Sequence, residues 1–395
     1  MGIPSPVPLP QRLEVPVQFT GSEIRMPLRP LETVQKLLLS TTSHFVGTFE
    51  RADVVLALAW PGLGRRDMMR WSEGPLSRTA FVLAFETPPI QKLPGTLIPE
   101  HSPTGDAICS YLAVLYGKRF DSHGALENQG SFRVPELGVF GETCDHRLPQ
   151  NSHTPRADFG VPLNLAELSR IEPLIDGKVD SGFLRSFHAA AKFYLQALQT
   201  AERDPEVAYL NLITAVEIVS NWCENDAATT VDEEVRSCLE VIRNHHPEGD
   251  RLAGRLSGML RQVKRRYVET LVRLCDSRLF DRPEVTCDHR LESHSFRKSI
   301  AAAYDLRSRY VHTGTPFGGW VSPELSLHET QFASPVSGDQ ELDKILAKAP
   351  TYLGLERATR YALLRFAEAN GAYSDPLQVV KAEPANPGAA TDPGK

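Results

Sequence analysis

Arg307 and His312 bracket the stretch Arg307-Ser308-Arg309-Tyr310-Val311-His312, and their types define a narrow chemistry. A guanidinium stays charged throughout the physiological range, whereas an imidazole can hold or release a proton near neutrality. Such a pair can stabilise charge on a phosphorus centre and move a proton without a metal. That is enough to cut RNA at its own 2′-hydroxyl. Arg309 could position a phosphate, and Tyr310 could stack on a base or donate from its hydroxyl. Ser308 and Arg309 lie four and three residues before His312, so an intact helix makes them its neighbours. The bland alternative is a surface arginine followed by a helix-ending histidine favoured by the helix dipole.

The pair needs a helix to hold it, and apolar spacing predicts one from about 295 to 312, ended by Gly314 and Pro316. Earlier helices are expected over 181–200, with Leu184, Phe187, Ala191, Leu195 and Leu198 on one stripe, and from Pro205 to about Trp222. Asp204 as N-cap with Pro205 at the first helical position is a strong start signal. Further helices are expected over 231–244, 251–275 and 352–369. Residues 1–165 read instead as strand-rich. Leu13 to Phe19 alternates, and 53–59 and 80–85 are short apolar runs bounded by turn residues. One helix interrupts them, opening at Asp106 as N-cap and closing at Gly117. The polar, proline-punctuated stretch 141–162 reads as a linker or long loop, and 376–395 as a disordered tail.

A chain of 395 residues is too long for one ordinary core and points to two domains. Its net charge of −6 argues against a surface that binds nucleic acid all over. The charge is uneven, however, because basic residues outnumber acidic ones between Arg236 and Arg309. The densest run is Arg261, Lys264, Arg265 and Arg266. That run suits an RNA-facing groove, or simply a solvated helix. The six cysteines form no CxxC pair. Thr143-Cys144-Asp145-His146-Arg147-Leu148 recurs as Thr286-Cys287-Asp288-His289-Arg290-Leu291, but each copy offers at most three ligands, so no metal and no cofactor is expected. Walker, dinucleotide, HExxH and GxSxG patterns are absent. With no signal peptide and no apolar run long enough to span a bilayer, a cytoplasmic protein without membrane contact is expected.

The segment Tyr304 to Gly314 resembles the signature of HEPN domains of the Apea-like group, an arginine and a histidine four to six residues later at a helix end. The run from Tyr209 through Glu217 to Val219 is similar to that family's early helix, in which a glutamate closes an apolar run. The resemblance covers roughly residues 170–375. Ser308 departs from the Asn, Asp or His often found after the family's arginine. The resemblance implies an α+β chain: a strand-rich mixed domain over 1–165, with a sensing or regulatory role, then an all-α HEPN-like bundle over 166–375. It further implies a homodimer or higher homo-oligomer with two Arg/His pairs in a shared cleft, acting on RNA in anti-phage defence. A phage-derived or small-molecule trigger would release it. Other members of the family only dimerise and bind RNA or protein. In the catalytic case Arg307 and His312 do the chemistry, while Ser308, Arg309, Tyr310 and Glu217 support it.

One geometric problem accompanies that expectation. An intact helix turns about 100° per residue, which separates Arg307 from His312 by about 140°. Either the last turn unwinds, or Arg307 of one protomer faces His312 of another.

Overall fold

The computed structural model describes residues 33–59, 78–89, 99–128, 131–132, 144–223, 233–260, 263–282, 284, 289–324 and 327–374. Outside them fall the expected strand at Leu13–Phe19, the tail after 376, Arg261, and Thr143 and Thr286, Cys287 and Asp288 of the repeated hexapeptide. The first half builds a five-stranded sheet. Its strands are β1 (Val34–Thr41), β2 (Phe49–Glu50), β3 (Val54–Leu58), β4 (Thr79–Glu86) and β5 (Phe120–Ala125). Their order is β2-β3-β4-β1-β5, antiparallel throughout. Side chains alternate across a strand, so register decides which residues share a face. Leu37 pairs with Leu83 and Leu39 with Phe81, and all four are buried in the main core. Leu38 and Ala80 lie on the opposite face, in a small separate cluster.

Helix α1 (Ser102–Tyr116) packs on the inner face of this sheet. Gly105 permits the approach, because a Cβ there would lie 2.7 Å from Ser122 Oγ and 3.0 Å from Leu37 Cδ1. Asp106 is therefore not its N-cap. The helix begins earlier, after His101, with Pro103 in the first turn, where the missing N–H costs no hydrogen bond. Gly117 closes it in the left-handed conformation, its N–H donating to the Ala113 carbonyl.

The helical half follows. Helix α2 (Ser181–Thr200) is capped by Asp180, and α3 (Pro205–Trp222) by Asp204, each carboxylate accepting a first-turn N–H. The expected stripe of α2 is buried at Phe187, Ala191, Leu195 and Leu198 and half-buried at Leu184, and α3 buries Tyr209, Ile213, Val216 and Val219. Helices α4 (Glu233–His245) and α5 (Gly249–Leu260) form a satellite around Leu239, Ile242 and Ala253. The helix expected over 251–275 resolves into α5 and α6 (Val263–Leu274). Helix α7 (Ser293–Thr313) carries the Arg/His stretch, and α8 (Tyr352–Ala369) is buried almost all round.

Position 165 is not a boundary of the core. One apolar cluster runs from Leu37 and Leu112 through Phe187 and Tyr209 to Phe366. Residues 144–162 form a long loop, and one tied into the core. Lys118, fully buried, donates to the carbonyls of Pro149, Ser152 and Thr154 at 2.6 to 2.8 Å. Arg156 is just as deeply set, its guanidinium making two 2.9 Å contacts to the Glu356 carboxylate, two hundred residues away in the chain. Arg360 donates to the Val114 and Leu115 carbonyls, satisfying the end of α1 from a distant helix.

The same segment carries an acid-sensitive contact. His44 stacks on His153 with ring centroids 3.8 Å apart, and His146 lies 5.1 Å from His153. Burial, and then the neighbouring His146, pushes the His44 pKa below its ordinary value. The unfolded chain therefore takes up this proton first, and the associated stability is present above about pH 6.5 and lost on further acidification. Urea denaturation from pH 7.5 to 5 should show a shallower loss in the His44→Phe protein than in the native one. Parallel pH profiles would remove this assignment.

Candidate active site

Helix α7 is continuous through His312 to Thr313, and Gly314 ends it at φ 68°, its N–H donating to the Tyr310 carbonyl. The unwound last turn is thus not adopted. Within one chain Arg307 and His312 stay about 140° apart around the axis. Val311 and His312 are exposed, whereas Arg307 is half-buried in the groove facing α3.

That groove is built from three helices. Glu217, closing the apolar run of α3, accepts a 2.9 Å hydrogen bond from the Tyr304 hydroxyl at Oε1. Its Oε2 lies 3.5 Å from Arg307 Nη2. The guanidinium carbon of Arg307 stands 5.5 Å from the Tyr304 ring centroid, within cation–π reach. Burial first, and then Glu217, pushes the Tyr304 pKa up to about 12, while Arg307 and Arg266 oppose the shift. Arg266 on α6 therefore belongs to the same electrostatic neighbourhood, and its buried Nε has no hydrogen-bond partner among the described residues. Glu217, Tyr304, Arg307 and Arg266 form one partly open cluster in which a carboxylate and a phenol orient a guanidinium.

Tyr304 was not among the expected site residues, although it lies three positions before Arg307, one turn along the same face. Replacing it with Phe removes a hydrogen bond to a carboxylate, worth about 1.5–3 kcal/mol. Chemical denaturation of Tyr304→Phe should show a loss of that order. An unchanged midpoint would mean that the bond does not hold Glu217.

The remaining expected residues divide. Arg309 does not face the groove. It pairs with Asp339 and, at 4.0 Å, with Glu341. Asp339 is also the N-cap of the short helix Gln340–Leu346, so Arg309 anchors that segment rather than a phosphate. Tyr310 packs edge-on against Phe317 with centroids 5.7 Å apart, and Phe317 contacts Tyr209 in the same way at 5.5 Å. It is therefore a core-edge aromatic and not a free stacking platform. Ser308 is half-buried beside Arg307. Lys264 makes a 2.6 Å ion pair with Asp305 of α7, and Arg265 is half-buried. Lys264 thus docks α6 onto the candidate helix, and Arg266 enters the cluster.

The chain after α7 is tied back to the start of α3. Glu206 Oε1 accepts from the N–H groups of Phe317 at 3.3 Å and Gly318 at 2.8 Å. A Cβ on Gly318 would lie 2.1 Å from Glu206 Oε2, so a side chain there would push the Glu206 carboxylate out of its present place. It fixes the chain beyond His312 and leaves that imidazole in solvent.

Among the described residues no group of three or more His, Cys, Asp or Glu could hold a metal ion. Within them, too, no helix is long and apolar enough to cross a membrane. Cys144, in the first copy of the repeated hexapeptide, sits 3.2 Å from Arg78 Nη2 rather than in a ligand set. Comparison with family models, with curated proteins and with solved structures finds no match to this chain.

Proposed function

We propose that this protein is a metal-independent endoribonuclease of the HEPN type, acting as a homodimer in anti-phage defence by abortive infection. The observation that carries this reading is the contrast along α7: Arg307 is oriented by Glu217 and Tyr304 in a partly open groove, while His312 is presented to solvent at a rigidly capped helix end. A side chain with no role beyond solubility does not need that scaffold. His312 would take the ribose 2′-OH proton and, once protonated, give it to the departing 5′-oxygen. Arg307 would meet the charge on the non-bridging oxygens through planar, multidentate hydrogen bonds. DNA has no internal nucleophile and would be inert. Single-stranded RNA and its all-deoxy counterpart, each incubated with the protein in excess EDTA, test the reading. It requires products ending in a 2′,3′-cyclic phosphate from RNA alone. Intact RNA, or cutting of both polymers, contradicts it.

A second reading is a non-catalytic module of the same type that dimerises and binds RNA or a protein. Two observations favour it: Glu217 already engages Arg307, and Arg309 is spent on Asp339. It requires salt-sensitive RNA binding without product.

A further inference from the structure

A layer of buried charge joins the two halves of the chain at the inner face of α8. Its cations are Lys118, Arg156, Arg357 and Arg360, and its carboxylates are Asp158, Glu284, Glu329 and Glu356. The four carboxylates are not held equally. Glu356 takes both terminal nitrogens of Arg156 and the Tyr194 hydroxyl, and is almost fully enclosed. Glu329 takes Arg357 and the Leu291 N–H, and is equally enclosed. Asp158 is gripped by both Arg360 terminal nitrogens. Glu284 makes a single ion pair among the described residues, at 2.7 Å to Arg156 Nε, and its side chain is 18% exposed. It stands outside regular structure, between the short helix Ser277–Asp281 and α7.

Two cavities meet at this carboxylate. One of about 370 Å³ is walled by Arg147, His328 and Leu353. The other, about 80 Å³, lies towards Arg282 and Tyr361. Glu284 and Arg357 border both. Were Glu284 to leave, Arg156 Nε would have no acceptor among the described residues, and Arg156, Arg357 and Arg360 would face three carboxylates in place of four. A buried N–H left in that state beside three guanidinium groups is costly, so another acceptor is needed in its place.

We propose that Arg156, Arg357 and Arg360 form an anion socket that Glu284 fills as a tethered stand-in, and that a phosphate-bearing small molecule of nucleotide size displaces it. The terminal nitrogens of Arg156 and Arg360 stay on Glu356 and Asp158, so a phosphate oxygen would take the charged Arg156 Nε–H that Glu284 vacates, and the larger cavity falls in the range of small-molecule pockets. Burial raises the pKa of Glu284, but Arg156, Arg360 and Arg357 outweigh it and hold the carboxyl below its ordinary range. The socket therefore favours a charged occupant over a neutral one. This site is separate from the Glu217–Arg307 groove and stands whether or not the protein cuts RNA.

Calorimetric titration of the full chain with AMP, ribose 5-phosphate, inorganic phosphate and acetate tests the socket. Native protein should bind AMP saturably at one site per protomer, and more tightly than phosphate. If Glu284 occupies the socket about nine-tenths of the time, Glu284→Gln should bind about tenfold tighter, because its competitor is weakened. Circular dichroism checks that the variant retains its helices. Absence of saturable binding to both proteins overturns the proposal, as does an AMP affinity that Glu284→Gln leaves unmoved. Acetate binding as tightly as AMP overturns the phosphate class. Should Glu284→Gln not fold, hydrogen exchange on native protein with AMP decides: protection is expected at 144–158 and 353–360. Protection elsewhere, or none, overturns the socket.

Discussion

His312→Ala should abolish RNA cleavage while leaving the protein folded. General acid–base groups contribute about 10²–10⁴-fold, and the rate in excess EDTA should fall by at least the lower figure. The side chain is exposed at the last turn of α7, so its removal should change stability by no more than about 0.5 kcal/mol. Rate and denaturation midpoint must be measured on the same preparation. A large loss of rate at an unchanged midpoint separates a chemical role from a structural one. Equal cleavage by both proteins would eliminate His312 as the proton carrier.

Removal of Glu356 should produce the largest loss of stability of any single side chain in the buried layer. Glu356→Ala leaves Arg156 with two unpaired N–H groups in a fully buried position and strips the Tyr194 hydroxyl of its acceptor. Breaking one side of a buried ion pair costs about 3–5 kcal/mol, because the partner's charge stays buried without compensation. The half-exposed Arg297–Glu269 pair provides the contrast. Glu269→Ala there should cost no more than about 1 kcal/mol. Urea denaturation of the two variants beside native protein reads the difference. Similar costs for both would mean that the buried layer is far better solvated than its packing implies.

The sequence was legible wherever the signal was local. Asp204 followed by Pro205 marks the start of α3, since the carboxylate accepts the Val207 N–H and the proline fits the first turn. The apolar stripes of α2 and α3 gave their buried faces for the same reason: helical period and burial coincide. The start of α1 was missed because Ser102-Pro103 precedes the apolar run, and Asp106 looks like a cap only if helix and stripe begin together. The segment 144–162 was legible as a long loop but not in its contacts, because the pairing of Arg156 with Glu356 joins residues two hundred apart that no local pattern encodes. Glu356-Arg357-x-x-Arg360 within an otherwise apolar helix was the available hint of that layer.

The candidate site was legible in part. Arg307, Glu217 and Arg266 do converge, whereas Arg309 and Tyr310 are taken by Asp339 and Phe317, elements too distant in sequence to anticipate. With α7 intact, the proposed chemistry requires that Arg307 of one protomer and His312 of another meet at one phosphate.

Mixing two inactive proteins tests that requirement directly. In an equimolar mixture of Arg307→Ala and His312→Ala, half of the dimers should be mixed, and each mixed dimer holds one site with both native groups. Cleavage should recover to about a quarter of the native rate when such dimers are twofold symmetric in their contacts. A mixture in which subunits demonstrably exchange, yet which stays as inactive as either parent, would contradict the assembly of the site across two protomers.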